Sequence, residues 1–172
     1  MKETPQEYTQ RIMGYIEGKD GLKTQRATPA KLAKLTKGLT PKHLARKPAP
    51  DKWSIGEILA HLGETEMAIG WRLRQALTKN GGPVQAFDQD DWARIGRYNK
   101  RDAKQSLALF TAARQVNLAL LKGLSKEQWE CFHMHEERGK ETVAHTVRMI
   151  AGHDLNHLSQ IERIRKETLK KR

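Results

Sequence analysis

What this chain lacks narrows its class before any motif is read. Only one residue of 172, Cys131, is a cysteine, so no internal disulfide can form and a reducing compartment is the expected setting. No apolar run approaches the roughly 18–20 residues of a membrane span, and the opening "MKETPQEYTQ" carries no apolar signal core. Neither membrane insertion nor secretion is expected, and a cytoplasmic location is. Acids are scarce: 20 Asp and Glu stand against 32 Lys and Arg, a formal charge of +12. Between Lys19 and Lys47 the only acid is Asp20. That imbalance admits a nucleic-acid partner. The basic runs, however, have no interleaved aromatics and neither helix-turn-helix nor zinc-finger spacing, so a solvated surface is the better reading and nucleic acid is not the expected partner. Convincing strand patterns and internal repeats are also missing. One domain over residues 1–172 is expected at this length.

What the chain does have is helical punctuation. Thr4-Pro5-Gln6-Glu7 is a capping-box pattern with proline at the first helical position, predicting a helix to about Gly18. Thr28-Pro29 predicts a short second helix, near residues 29–38, carrying Leu32 and Leu35. "RKPAPDKW" is a connection, after which Ser54 and Glu57 form another capping box. From Ile55 to the "NGGP" at 80–83 the apolar residues recur with helical period, and Glu66 falls on their side. Residues 84–102 read as a weakly patterned connection with one helical turn. Helices are then expected from Lys104 to Leu124 and from about Glu141 to Thr168. The sum is an all-α bundle of four long helices and a short extra one.

The last helix poses the chemical question. It contains "AGHDLNHLSQI", residues 151–161. With Val143 as origin and about 100° per residue, Val147, Ile150, Leu158, Ile161 and Ile164 share one stripe, and His153 and His157 fall inside it or at its edge. Residues at i and i+4 stack on one face, so two imidazoles can converge on a single ion. Core histidines with hydrogen-bond partners are the alternative. Two unpaired imidazoles buried beside an inward Asp154 would be costly, which favours metal ligation. A third ligand is then needed, and His61 is the candidate. It lies about 120° off its helix's apolar centre, so periodicity alone does not place it in the core. His43, His133 and His145 read as surface or loop residues, and His135 stays open. Arg114 and Asn117 fall near an inward stripe, where they could line a polar pocket or serve as interior hydrogen-bonding groups. Trp53 reads as a packing residue at a helix start and Trp92 as a lid over the bundle end.

The stretches "KWSIGEILAHLGETE", "AFDQDDWA", "HEERGKETV" and "TVRMIAGHDLNHLSQIERI" resemble the DinB-like family, also called YfiT-like, of metal-dependent four-helix bundles. The resemblance covers nearly the whole chain. It implies a DinB/YfiT-like bundle that holds a divalent metal through His61, His153 and His157, with zinc, nickel, iron or manganese as the ion. It also implies a homodimer. Relatives that use low-molecular-weight thiols make a thiol S-transferase the leading expectation, with a small thiol and an electrophile as partners. A metal-dependent hydrolase is the alternative, with Asp154 or Glu66 as the acid–base group; a non-enzymatic basic bundle is the third. Cys131, in a loop, is a minor candidate nucleophile.

Overall fold

The structure, a computed structural model, describes residues 3–170. Its helices are α1 Pro5–Tyr15, α2 Gly21–Thr36, α3 Pro41–Ala45, α4 Ile55–Thr78, α5 Gln89–Ile95, α6 Ala103–Lys122, α7 Lys126–Glu130 and α8 Val143–Lys170. The expected capping boxes form at Thr4 and Ser54, and further ones at Thr40 and Ser125 open α3 and α7. Each ties the free N–H groups of a first helical turn to a side chain.

The four-helix core is α2, α4, α6 and α8, arranged as two parallel pairs. Gly63 of α4 faces Ser106 and Leu109 of α6, and Gly70 faces Asn117, so those two helices run the same way. Gly21 of α2 approaches Val147 of α8, while Leu32 joins Leu158 and Ile161 further on, so that pair is parallel too. Between the pairs the sense reverses: His61 of α4 meets His153 and His157 of α8, and Leu73 meets Val147. The α1 helix lies outside the four, against α8. Gly152 makes that approach possible, since a Cβ there would overlap the Ile12 carbonyl oxygen and stand 3.0 Å from the carbonyl carbon.

Two apolar clusters fill the bundle. One draws on Leu32, residues 55–62 of α4, Phe110 and residues 158–164 of α8; the other draws on Ile69, Leu73, Ala76, Leu121 and residues 143–150. Between them lies a polar layer, to which all four helices contribute.

Three expectations differ from what is observed. The helix predicted near residues 29–38 is not a short extra element. It starts at Gly21, capped by the Asp20 side chain, and is one of the four core helices. Pro29 sits inside it, and the Thr28-Pro29 punctuation misled because the true start carries only one acidic cap in a basic run. The connection 84–102 holds two helical turns of α5, capped by Asp88, and a 3-10 turn at Tyr98–Lys100. Finally, the chain does form strands: β1 Pro83–Val84, β2 Phe132–His135 and β3 Gly139–Thr142, in the order β1-β2-β3. The β1–β2 pairing is parallel and β2–β3 is a hairpin with His133 opposite Glu141. The inward face of this sheet is His133, His135 and Glu141, all under 5% exposed. Alternation of apolar and polar residues therefore could not reveal it. The last helix accordingly starts at Val143 and not at Glu141.

Candidate metal centre

The three histidines that the sequence singled out meet. The Nε2 atoms of His61 and His153 are 3.1 Å apart, as are those of His157 and His153. All three lie within 4.8 Å of one another, the only such group of potential metal-ligand side chains found among the described residues. His61 hangs from α4 and the other two from successive turns of α8, so the site bridges two antiparallel helices. Trp53, just before α4, packs on the His61 ring at 4.9 Å between centroids. Gln160 holds His157 Nδ1 at 3.0 Å, which fixes that ring with its Nε2 toward the other two.

Proton bookkeeping argues against a purely structural cluster. The Nε2 of His153 offers one proton or one lone pair on the edge that both neighbours face, and cannot make two good hydrogen bonds there. Two nitrogens bound to one ion at about 2.1 Å stand roughly 3.0–3.4 Å apart, for angles from octahedral to tetrahedral. The observed 3.1 Å separations fit that set. The rings are also neutral. Burial drives His61 and His153 well below the ordinary histidine range, and the neighbouring imidazoles add to it. Burial takes His157 down to about 4, against the opposing hydrogen bond to Gln160 and with help from the Arg11 charge. Lone pairs are thus available to a cation at neutral pH.

Next to the triad lies the polar layer. Arg114, 1% exposed, donates to Asp154 at 2.6 and 3.0 Å, to Glu66 at 2.8 Å and to the Gln25 carbonyl at 3.1 Å. It therefore ties α6 to α8, α4 and α2 at once. Asn117 adds a bond to Glu66 at 2.8 Å. Of the two roles open for Arg114 and Asn117, interior hydrogen bonding is the one observed. Asp154 and Glu66, the acid–base candidates, are both buried on this guanidinium, and an acid–base role would require either to leave it. Glu64 of α4 pairs with Arg101 at 2.6 Å.

A cavity of about 420 Å³ opens onto two members of the triad. Its floor includes His153 and His157. Its walls come from Tyr8 and Arg11 of α1, Trp53, Gln89 and Asp90 of α5, and Asn156 and Arg163 of α8. Sequence reasoning missed these wall residues. Asn156, beside His157, was the one with a positional signal; α1 showed only a capped amphipathic helix. The remaining histidines separate cleanly. His133, read as surface or loop, is 1% exposed and bonds Glu141 at 3.0 Å, because it alternates inward on β2. His135 is buried beside it, while His43 and His145 are partly exposed. Trp92 stacks on Phe87 at 4.2 Å. Cys131 follows α7 directly, half-buried.

Comparisons with known proteins point the same way. Residues 25–161 match a family model described as the DinB superfamily. A protein of Oceanobacillus iheyensis named "Putative metal-dependent hydrolase" is 28% identical over 109 residues, 63% of each chain, so this chain spans a little under two thirds of that relative. A second protein of that organism with the same name is 26% identical over 132 residues, 77% of this chain and 76% of the other. Among solved structures, one described as "YfiT from Bacillus subtilis is a probable metal-dependent hydrolase with an unusual four-helix bundle topology" superposes with a TM-score of 0.80 at 20% identity. It covers 86% of this chain and 85% of that one. That likeness carries the fold. Among the described residues, no helix is long and apolar enough to cross a membrane.

Proposed function

The chain belongs to the DinB superfamily, and from that membership we propose that it is a metalloenzyme holding one divalent ion on His61, His153 and His157 to activate a small-molecule nucleophile. The observation that carries the reading is the convergence of three neutral Nε2 atoms, two of whose rings line an open cavity. A divalent ion on three neutral imidazoles supplies Lewis acidity that lowers the pKa of a thiol or a water near it.

The nucleophile is a low-molecular-weight thiol on the first reading, and the reaction an S-transfer. The thiol sulfur forms a bond to the electrophilic carbon, the leaving group departs with its bonding pair, and the thiol proton passes to solvent. This chemistry asks for no carboxylate base, which suits a site whose nearest acids, Asp154 and Glu66, are held by Arg114. The chain's own residues have other tasks: Trp53 and Gln160 orient ligand rings, and α1 and α5 wall the cavity. Hydrolysis, with water as nucleophile, is the second reading, favoured by the names of the relatives. The single free cysteine supports a cytoplasmic setting, where a small thiol stays reduced.

The test has two stages. Protein purified without a histidine tag should carry about one divalent ion per chain by elemental analysis, and His157→Ala should lose it. Metal-loaded protein should then transfer a small thiol to a halonitrobenzene acceptor, with no turnover by His157→Ala. Turnover of esters or amides without thiol would select the hydrolytic reading. A metal-free wild type that takes up no added zinc, nickel, iron or manganese would refute both.

A further inference from the structure

The wall of the cavity carries charge that the proposed chemistry does not use. Arg11 of α1 reaches in beside the triad. Its Nη1 lies 3.4 Å from Asn156 Oδ1, and it lines the same cavity as His153 and His157. The rest of its guanidinium is already occupied: Nε and Nη2 grip the Glu3 carboxylate at 2.7 and 2.8 Å. This is the two-pronged geometry in which arginine binds a carboxylate. The chain thus displays what the fork takes.

The Glu3 pair is also easy to exchange. Its side chains are 43% and 37% exposed, and exposed pairs of this kind contribute little to stability. A carboxylate entering from the cavity would find the same fork, the cation below and a second guanidinium, Arg163, which makes no ion pair among the described residues. Lys52, also on the wall, is paired with Asp51 at 2.8 Å. Neither Glu3, Arg11 nor Arg163 lies in the segment 25–161 that matches the family, whereas all three metal ligands do. The residues that would read the far end of a ligand therefore lie outside the segment that matches the family.

We infer that the cavity selects ligands bearing a carboxylate at the end remote from the metal-binding head, that Arg11 reads that carboxylate, and that Glu3 is the chain's own occupant of the fork, displaced on binding. This rests on the metal reading above, and it goes further by assigning the ligand class and the residues that choose it. The preference belongs to binding and holds whether the nucleophile is a thiol or water.

Binding separates the two ideas. Metal-loaded protein is titrated calorimetrically with acetohydroxamate and with the monohydroxamates of succinate, glutarate and adipate, each against its methyl ester. At one chain length or more the acid should bind about tenfold or more tightly than its ester, the scale of a fully formed charge-assisted fork. Arg11→Gln should bring the acid down to the ester's affinity while metal content by elemental analysis is retained. Glu3→Gln should move the acid the other way, tightening it a few-fold, with the ester unmoved. Equal affinity of acid and ester at every length, or a preference that survives Arg11→Gln, overturns the inference and leaves the metal reading standing. Absence of metal uptake overturns the metal reading and this inference with it.

Discussion

Replacing Arg114 with methionine is the sharpest test of how the centre of this bundle is held. The guanidinium is 1% exposed and makes four hydrogen bonds, three to the carboxylates of Asp154 and Glu66 and one to the Gln25 carbonyl. Methionine fills much of the volume but leaves both carboxylates buried without a counter-charge, Glu66 retaining only Asn117. Breaking a buried ion pair from one side costs about 3–5 kcal/mol. In a chain of this size that corresponds to a fall in Tm of about 6–20 °C, at roughly 2–4 °C per kcal/mol. Urea unfolding of the metal-free protein at pH 7, followed by far-UV circular dichroism, reads the loss directly. The triple change Arg114→Met, Glu66→Met and Asp154→Leu removes the stranded charges together with their partner, and should recover most of what the single change loses. A single variant within about 1 kcal/mol of wild type, or a triple variant no better than the single, would show that the ionic layer does not carry the central packing.

Two further outcomes follow from particular contacts. Gly152→Ala would ordinarily gain helix propensity of up to about 1 kcal/mol. Here the new methyl meets the Ile12 carbonyl, so the variant should instead lose about 1–3 kcal/mol by urea titration, and a gain would mean that α1 is not seated on α8. The metal-free protein should also weaken on acidification. Burial and the charges of Arg138 and Arg72 push His135 down to about 4, and His157 is likewise near 4, so between about pH 6.5 and 4 the unfolded chain takes up protons that the folded one refuses. For Glu141, burial acts upward but is outweighed by hydrogen bonds from His133 and Arg138, so its carboxyl sits well below the usual range and adds a loss of the same sign at lower pH. His135→Gln should flatten the urea midpoint's dependence between pH 6.5 and 4, and an unchanged slope would contradict its buried, neutral state.

Much of the architecture was legible in the chain because it rests on short-range signals. Capping boxes at Thr4 and Ser54 and the 3.6-residue recurrence on α4, α6 and α8 are local, and the elements they announce are present. His153 and His157 were legible for the same reason: four residues apart on one helix face is a property of the segment itself. His61 was not, since its helix-wheel angle places it on the flank of α4. Its participation depends on how α4 packs against α8, which only the family likeness could supply. The sheet was invisible because its buried side is made of His133, His135 and Glu141 and its outer side includes Met134 and Lys140. That reverses the polarity by which strands are recognised. The start of α2 was hidden in a run of lysines. Arg11 was beyond reach, because the apolar side of α1 marks Ile12 for burial but does not say that its neighbour Arg11 reaches the cavity.

The parallel pairing of α4 with α6 has a consequence for how this scaffold can vary. Two neighbours that point the same way cannot be joined by a tight turn, so the polypeptide must travel back along nearly the full height of the bundle between Thr78 and Ala103. That obligatory return journey is where β1 and α5 lie, and α5 supplies Gln89 and Asp90 to the wall of the cavity. The connector is long for reasons of topology, and apart from the buried Val84 and Tyr98 it contributes little to the core. Insertions and exchanges there can remodel access to the three histidines while the helices that carry them stay as they are.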